Sequence, residues 1–372
     1  MINDDSHIKD VASEFAIAGE FIEGEEVHSG HINATYKATF KNDDGRIHRY
    51  IIQRINEKVF KDPLAVMRNV EMVTSHINSK VLRVKRDSGG QTLSLYPARG
   101  GSFFASGRGG GIWRCYNFIE GCRTYEVVAN TRQAYQAAHA FGSFQDLVSD
   151  IPVEDIEETI ADFHNTPKRY DRLMRVVDMD PCGRLAEVTA EVDFVVARKA
   201  ILSKFIDLEK RGDLPVRITH NDTKINNVMM DVESDEAVCV IDLDTVMPGL
   251  SLYDFGDLVR TAVSPTAEDE RDLSKIDVRM PMFEALAEGY IDGCHCLCDV
   301  ELDNLAFAGI LISLETGMRF LTDHLEGDMY FKIQQDGQNL DRARTQFRLV
   351  ELLEEHQAEM QNCVRCLAKA RS

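Results

Sequence analysis

Along the first third of the chain, apolar residues alternate with polar ones instead of recurring every third or fourth position. Tyr36, Ala38 and Phe40 alternate with Lys37 and Thr39. Asn42, Asp43, Asp44 and Gly45 then make a turn, and the extended pattern resumes over 49–55, which predicts two strands joined as a hairpin. Asp62-Pro63 is a helix start, with Asp as cap and Pro at the first helical position. Leu64, Met67, Val70, Val73 and Ile77 follow at helical spacing to about residue 79. Two further strands are expected near 81–86 and 93–96. A Gly-rich turn at 107–111 then leads into a strand over 112–119. That turn runs into a strand where a phosphate-binding P-loop would open a helix, so it reads as a hairpin tip.

From about residue 131 the period changes to that of helices. One is expected over 132–148. A long one is expected over 185–211, with Val188, Val192, Val195, Leu202, Phe205 and Leu208 on its apolar stripe and Gly212 ending it. Two short strands interrupt, at 216–218 and 237–241, and an amphipathic helix closes the chain over about 340–370. Strands with one main helix, followed by a mostly helical stretch, predict an α+β bilobal arrangement. A small N-terminal antiparallel-sheet lobe would occupy 1–118 and a larger, mostly helical C-terminal lobe 119–372. There is no internal repeat.

Composition narrows the function classes. The 372 residues are ordinary for a globular protein, at 44% apolar and 28% charged, but the formal net charge is −20. Such a balance argues against a nucleic-acid partner, whose phosphates reward clustered Lys and Arg. It leaves room for a nucleotide in a locally basic cleft. The acidic, polar N-terminus does not read as a signal peptide. No run approaches the ~18 uninterrupted apolar residues of a membrane span, so no membrane role is expected. Nine scattered Cys suit a reducing cytoplasm better than a disulfide framework. The groupings Cys294, Cys296, Cys298 and Cys363, Cys366 depart from the usual zinc spacing and read as ordinary thiols.

The candidate chemistry lies between the two short strands. His220-x-Asp222-x-Lys224-x-x-Asn227 offers what phosphoryl transfer to a hydroxyl requires. Asp222 is the expected base and Lys224 the cation beside the transferring phosphate. Asn227, five residues after Asp222, reproduces the step from base to magnesium ligand in a kinase catalytic loop. The next strand runs straight into Asp242, the expected second magnesium ligand, with Asp244 as its competitor. For the nucleotide, Gly30 lies in a loop before the first strand, and Arg54 ends an inner strand. Glu71, in the following helix, is expected to orient Arg54. Asn117 and Ile119, at the lobe boundary, are also assigned to the nucleotide. Asp254 is expected to cap a helix and to brace the catalytic loop.

The segment 220–227 followed by Ile241-Asp242 resembles the aminoglycoside phosphotransferase and choline kinase superfamily. Within it, several stretches resemble the bacterial N-acetylhexosamine 1-kinases: Arg68-Asn69-Val70-Glu71, Phe163-His164-Asn165-Thr166-Pro167, 219–227, 241–249, Asp254-Phe255-Gly256-Asp257, and Gly317-Met318-Arg319-Phe320-Leu321-Thr322-Asp323 with 327–331 behind it. The resemblance implies a protein-kinase-like fold, use of ATP and magnesium, and transfer to the anomeric C1 hydroxyl of N-acetylglucosamine or N-acetylgalactosamine. It also implies that Arg319 and Tyr330, and His31 as a third contact, bind the sugar. The alternatives are a kinase of choline, homoserine or an aminoglycoside, or a nucleotide-binding pseudokinase.

Overall fold

The structure is a computed structural model and describes residues 4–27, 32–84, 92–107 and 110–371. The sequence pattern places one cut at 118/119. The folded chain groups Met1–Cys122 with Glu154–Ile160 and Ile241–Met247 as one compact unit, and Arg123–Val153, Ala161–Val240 and Pro248–Ser372 as the other.

The first unit opens with α1 (Asp4–Ala12). Its sheet contains β1 (Glu20–Glu26), β2 (Ala34–Lys41), β3 (Ile47–Arg54), β4 (Ala105–Ser106) and β5 (Ile112–Asn117). The strands pair antiparallel in the order β1-β2-β3-β5-β4, with Ala38 opposite Tyr50 and Ile52 opposite Cys115. The period-2 pattern turns Ala38, Phe40, Tyr50, Ile52, Trp113 and Cys115 to one face. There they are buried together with Ile8, Val11 and Phe15.

Between β3 and β4 lies α2 (Pro63–Val84). Asp62 Oδ1 caps it, accepting from the N–H groups of Leu64 and Ala65 at 3.0 Å. Val66, Met67, Val70 and Val73 are buried along its inner face. The helix runs past residue 79, so the strand expected at 81–86 is helical as far as Val84. Nothing in that stretch is Gly or Pro, and extending a formed helix adds one hydrogen bond per residue ordered. The strand expected at 93–96 reduces to a single bridge between Leu95 and Tyr116.

The chain reaches the second unit at β6 (Cys122–Arg123). α3 (Thr131–Val148), α4 (Thr166–Met179), α5 (Thr189–Ala197) and α6 (Lys204–Lys210) follow. After them come β7 (Arg217–Thr219), β8 (Val228–Asp231), β9 (Ala237–Val240) and β10 (Met247–Gly249). α7 (Ser251–Ala262), α8 (Met280–Gly293), α9 (Asp299–Leu325) and α10 (Gln338–Arg371) complete the chain. The single helix expected over 185–211 is instead α5 and α6 separated by a 3-10 turn at Lys199–Ile201. Phe194 stacks on Phe347 of α10, while Phe205 packs on Phe307 and Tyr253. The two halves therefore bury against different partners, which one straight helix would not serve.

α9 is long and apolar enough to cross a membrane by length and composition, yet 94% of its most apolar stretch is buried inside the protein. α3 and α8 meet backbone to backbone. A Cβ at Gly289 would lie 2.3 Å from the Tyr135 carbonyl oxygen, and one at Gly293 2.4 Å from that of His139. This close approach sets α3, which carries Phe141, Phe144 and Gln145, against the segment that bears the candidate chemistry.

Candidate active site

β7 and β8 hold the segment 220–227 from both ends, with Ile218, Ile225, Val228 and Met230 buried. Gln145 of α3 donates to the Ile218 carbonyl at 2.9 Å, and the His220 ring packs edge-on against Phe141 and Phe144. Asn221 takes the left-handed conformation, with φ of 64°. Asn tolerates this because its short side chain bonds locally. Here its amide donates to the Thr219 carbonyl at 3.1 Å and accepts from the Thr219 hydroxyl at 3.0 Å.

Asp254 fixes this turn. It lies in the first turn of α7 and its carboxylate is not the helix cap that the sequence suggested, because the cap position belongs to Leu250. Its two oxygens accept the N–H groups of His220 and Asn221 at 2.9 and 2.7 Å, and its carbonyl accepts from the Thr223 hydroxyl at 2.6 Å. The bracing role expected beside the cap is therefore the one its carboxylate performs. Burial pushes the Asp254 carboxyl up to about 6, against the opposing charge of His220 and the two N–H bonds. A folded-state pKa above the ordinary 3.8 means that its contribution to stability is fully present below 3.8 and declines as pH rises to about 6. Asp254→Asn leaves one of the two N–H groups facing an amide donor, at a cost of about 1–3 kcal/mol. Denaturant titration at a series of pH values checks this, and the deficit of the variant should narrow across that interval.

With the backbone so held, Asp222 projects beside two partners. Lys224 Nζ lies 3.0 Å from Asp222 Oδ1. The Asn227 amide donates to the Asp222 carbonyl at 2.8 Å and to Oδ2 at 3.2 Å. Asn227 Oδ1 accepts no hydrogen bond among the described residues. Burial opposes ionisation of Asp222, but the Lys224 charge and hydrogen bond, with His220 and Arg260 behind them, outweigh it and hold the carboxyl below its ordinary value. The same carboxylate raises Lys224 against its own desolvation. The side chains remain reachable, 22% exposed at Asp222 and 44% at Lys224.

A second layer in the same unit supports this turn. His164 Nε2 lies 3.4 Å from the Asn221 carbonyl, and Nδ1 lies 2.9 Å from the buried Glu315, which also accepts from Thr166 at 2.5 Å. Phe163 packs edge-on against His164, and the Arg319 guanidinium lies 5.4 Å from the Phe163 ring centre and 5.5 Å from that of Phe331. Among the described residues Arg319 forms no ion pair. Asp323, one helical turn beyond Arg319, is spent elsewhere: its carboxylate accepts the N–H groups of Met329, Tyr330 and Phe331 and the Asn339 amide. Asp323 thereby holds the turn that presents Tyr330, whose side chain is exposed. Arg169 was not anticipated from the sequence. It sits close enough to Arg319 that burial and the Arg319 charge lower it, and its Nε is buried without a partner among the described residues.

In the first unit, Asp242 opens a short turn at φ of 61°. Asp244 is committed to Arg114, whose Nη1 bonds Oδ1, and to Asn33, which donates to Oδ2 at 2.6 Å. Arg114 is fully buried and also donates to Gln53 through Nε and Nη2 at 3.0 and 2.8 Å. The expected ion pair between Arg54 and Glu71 does not form. Both side chains are exposed, and it is Arg114, hidden in the apolar run Trp113-Arg114-Cys115-Tyr116, that the sheet buries as its cation. Arg54 instead lines, with Ile32, Ala34, Asn56, Glu57 and Lys58, a cleft of ≈ 340 Å³. Gly30 and His31 lie outside the described residues. Asn117 spends its side chain on the segment before it, accepting from Ser94 N–H at 2.7 Å and donating to the Thr92 carbonyl at 2.9 Å. The backbone of Ile119 enters no hydrogen bond among the described residues, so its N–H and carbonyl are available.

Comparison with known proteins places this geometry. A model of the phosphotransferase enzyme family, APH, matches residues 23–274, more than half of the chain. The chain is similar in structure to an aminoglycoside phosphotransferase from Alicyclobacillus acidocaldarius, at 13% identity and a TM-score of 0.64, covering 95% of each chain. It is similar to a microcompartment-associated aminopropanol kinase at 14% identity and a TM-score of 0.59, covering 96% of this chain and 98% of the other. A spectinomycin phosphotransferase solved with ADP and spectinomycin matches at 13% identity and a TM-score of 0.52, covering 90% and 93%. Identities this low establish the shared α+β fold.

Proposed function

The chain belongs to the phosphotransferase enzyme family, and on that premise we propose that it transfers the γ-phosphate of ATP to the anomeric C1 hydroxyl of an N-acetylhexosamine, N-acetylglucosamine or N-acetylgalactosamine. The transfer chemistry is supported by Asp222, ionised and reachable beside Lys224 and Asn227. Asp222 accepts the proton of the attacking hydroxyl as the oxygen approaches the phosphorus in line, and Lys224 spreads the charge that develops on the phosphoryl oxygens. Little covalent chemistry falls to the protein, so the hydrogen bonds that orient Asp222 matter as much as the base itself.

Magnesium fits the donor set of this chain. Asn227 has turned its N–H groups to Asp222, which leaves Oδ1 for a cation, and Asp242 adds a hard carboxylate oxygen. Hard oxygen donors of this kind suit magnesium. When bound, it would neutralise the phosphates of the nucleotide. Gly30, Arg54, Glu71, Asn117 and Ile119 are the proposed nucleotide contacts. The cleft at Arg54 and the open backbone of Ile119 support two of them, while Asn117 is left its carbonyl side.

The choice of acceptor rests on one observation. Arg319 is flanked by Phe163 and Phe331, forms no ion pair among the described residues, and lies in the fields of Arg169 and of the buried Glu315, whose oxygens are engaged by His164 and Thr166. Two guanidinium groups disfavour the cationic acceptors suggested by the amine names of the structural relatives. They suit hydroxyl and carbonyl oxygens, which accept hydrogen bonds. Tyr330 and His31 are the further proposed sugar contacts. An ATP-consumption assay over N-acetylglucosamine, N-acetylgalactosamine, glucose, galactose, choline, homoserine and kanamycin tests this. Turnover is expected with the acetylated sugars, and Arg319→Ala should lower their kcat/KM by roughly 10- to 100-fold through loss of a charged hydrogen bond. Turnover confined to choline or kanamycin would overturn the sugar reading and keep the kinase. ATP binding with no transfer to any acceptor would favour a pseudokinase.

A further inference from the structure

The loop between α8 and α9 contains a feature that phosphoryl transfer does not use. Cys294 Sγ and Cys296 Sγ lie 3.4 Å apart, the first fully buried and the second partly exposed. The backbone around them is held on several sides. Cys294 N–H donates to the Tyr290 carbonyl at 3.0 Å, His295 N–H to Asp146 at 2.8 Å, and Arg371 to the Cys294 carbonyl at 2.9 Å. We propose that Cys294 and Cys296 are a modification site at which a hydroperoxide forms a reversible disulfide, and that this bond loosens the catalytic turn.

The geometry makes Cys296 the attacking sulfur, since it is the thiol that solvent reaches. The hydrogen bond from Cys294, together with the Arg217 charge, holds it below the ordinary thiol range against its burial, so it carries more thiolate. Cys296 attacks the peroxide oxygen, the O–O bond breaks, and a sulfenic acid and one water or alcohol result. Cys294 then attacks the sulfenyl sulfur. Its proton leaves with the hydroxyl as a second water, and the S–S bond forms. Two thiols are oxidised and one peroxide is reduced. Closing from 3.4 Å to the ~2.05 Å of a disulfide draws the two sulfurs together by more than an ångström, and in so short a loop the backbone that carries them shares the strain.

That movement is felt at Arg217. Its Nη2 donates to the Cys296 carbonyl at 2.5 Å, and Nε and Nη2 grip the two oxygens of Glu301 at 2.7 Å. Glu301 also accepts from the Ser251 hydroxyl at 2.5 Å and from Cys298 N–H at 2.8 Å. Arg217 opens β7, three residues before His220, and Ser251 opens α7, which carries Asp254. Both sides of the Asp254 brace are therefore anchored on the group that holds the Cys296 carbonyl.

The test treats the full-length protein with hydrogen peroxide and alkylates the remaining thiols. Exposed Cys182 and Cys366 serve as internal reporters that the oxidant acted. The expected result is joint loss of alkylation at Cys294 and Cys296, with the peptide that carries both lighter by two hydrogen atoms and both thiols returned by dithiothreitol. Amide exchange at His220 and Asn221 should quicken on oxidation and slow again on reduction. In Cys296→Ser, Cys294 should stay alkylatable after unfolding and the exchange should no longer respond. Two thiols still free at 294 and 296 after Cys182 or Cys366 has reacted would overturn the site. A disulfide that leaves the exchange unchanged would overturn the coupling. Neither readout depends on the acceptor, so failure here is separable from failure of the sugar-kinase reading.

Discussion

Asp222→Asn should reduce kcat by about 10²–10⁴ while leaving nucleotide affinity nearly unchanged. The size follows from what the carboxylate does. An amide of the same shape keeps the turn, because Asp254 holds the backbone N–H groups of His220 and Asn221 independently of the Asp222 side chain. It can still meet the Asn227 amide through its oxygen. What it cannot do is accept the hydroxyl proton or balance Lys224, whose ammonium the carboxylate raises. Single-turnover phosphoryl transfer, set beside equilibrium nucleotide binding, separates the base from the binding site. Transfer within a factor of ~10 of the wild type would show that Asp222 is not the base. The pH profile supplies a second check. Because Lys224 and its neighbours hold Asp222 below 3.8, protonation of this base should not limit turnover anywhere above that value.

The largest stability effect is expected in the first unit, at Arg114. Arg114 and Asp244 are 0% and 3% exposed, and their charges face each other in the first unit. Burial opposes the Arg114 charge, but Asp244, Tyr116 and Asp242 more than reverse it and raise the guanidinium above its ordinary value. Arg114→Met leaves the Asp244 carboxylate buried with only the Asn33 amide, a loss of about 3–5 kcal/mol. That should lower Tm by about 4–6 °C in a thermal unfolding scan. The double change Arg114→Met with Asp244→Leu removes both charges and should recover most of the loss, since a paired buried charge adds little net stability while an unpaired one costs much. A single variant as stable as the wild type would mean that water or a rearranged Gln53 satisfies Asp244.

These two residues mark the limits of what the linear pattern conveys. Asp222, Lys224 and Asn227 fall within six positions, so their chemistry is legible as a motif and the structure brings all three together. Arg114 and Asp244 are 130 positions apart, and their pairing has no local signature. The only hint was an Arg inside the apolar run 112–119, which a strand buried on both faces tolerates only with a partner. Arg54 and Glu71, which the sequence pairs one element apart, stay exposed and unpaired with each other. Asp323 has a similar lesson. Four residues after Arg319 it reads as the ion-pair partner at helical spacing, but the turn at Met329, Tyr330 and Phe331 presents three N–H groups that claim its oxygens. Arg319 is left without it, and that is the observation on which the acceptor assignment turns.

By itself the sequence determined the α+β class, because alternation and helical period are local properties written into consecutive residues. It likewise singled out Asp222, Lys224 and Asn227, since their spacing on one short loop is itself a local pattern, and the turn held by Asp254 is what brings their side chains together. Tertiary structure alone decided where helices end, as when α5 and α6 part so that Phe194 and Phe205 reach different partners. It also decided which charges are spent and which remain. Asp254 gave its carboxylate to the brace and not to a helix cap, Asp244 became a buried counter-ion and Asp323 the anchor of a turn, and Arg169 came to lie beside Arg319. Each of these is a competition among buried donors and acceptors for a small number of partners. Its outcome depends on distances between segments far apart in the chain, which the order of residues does not contain.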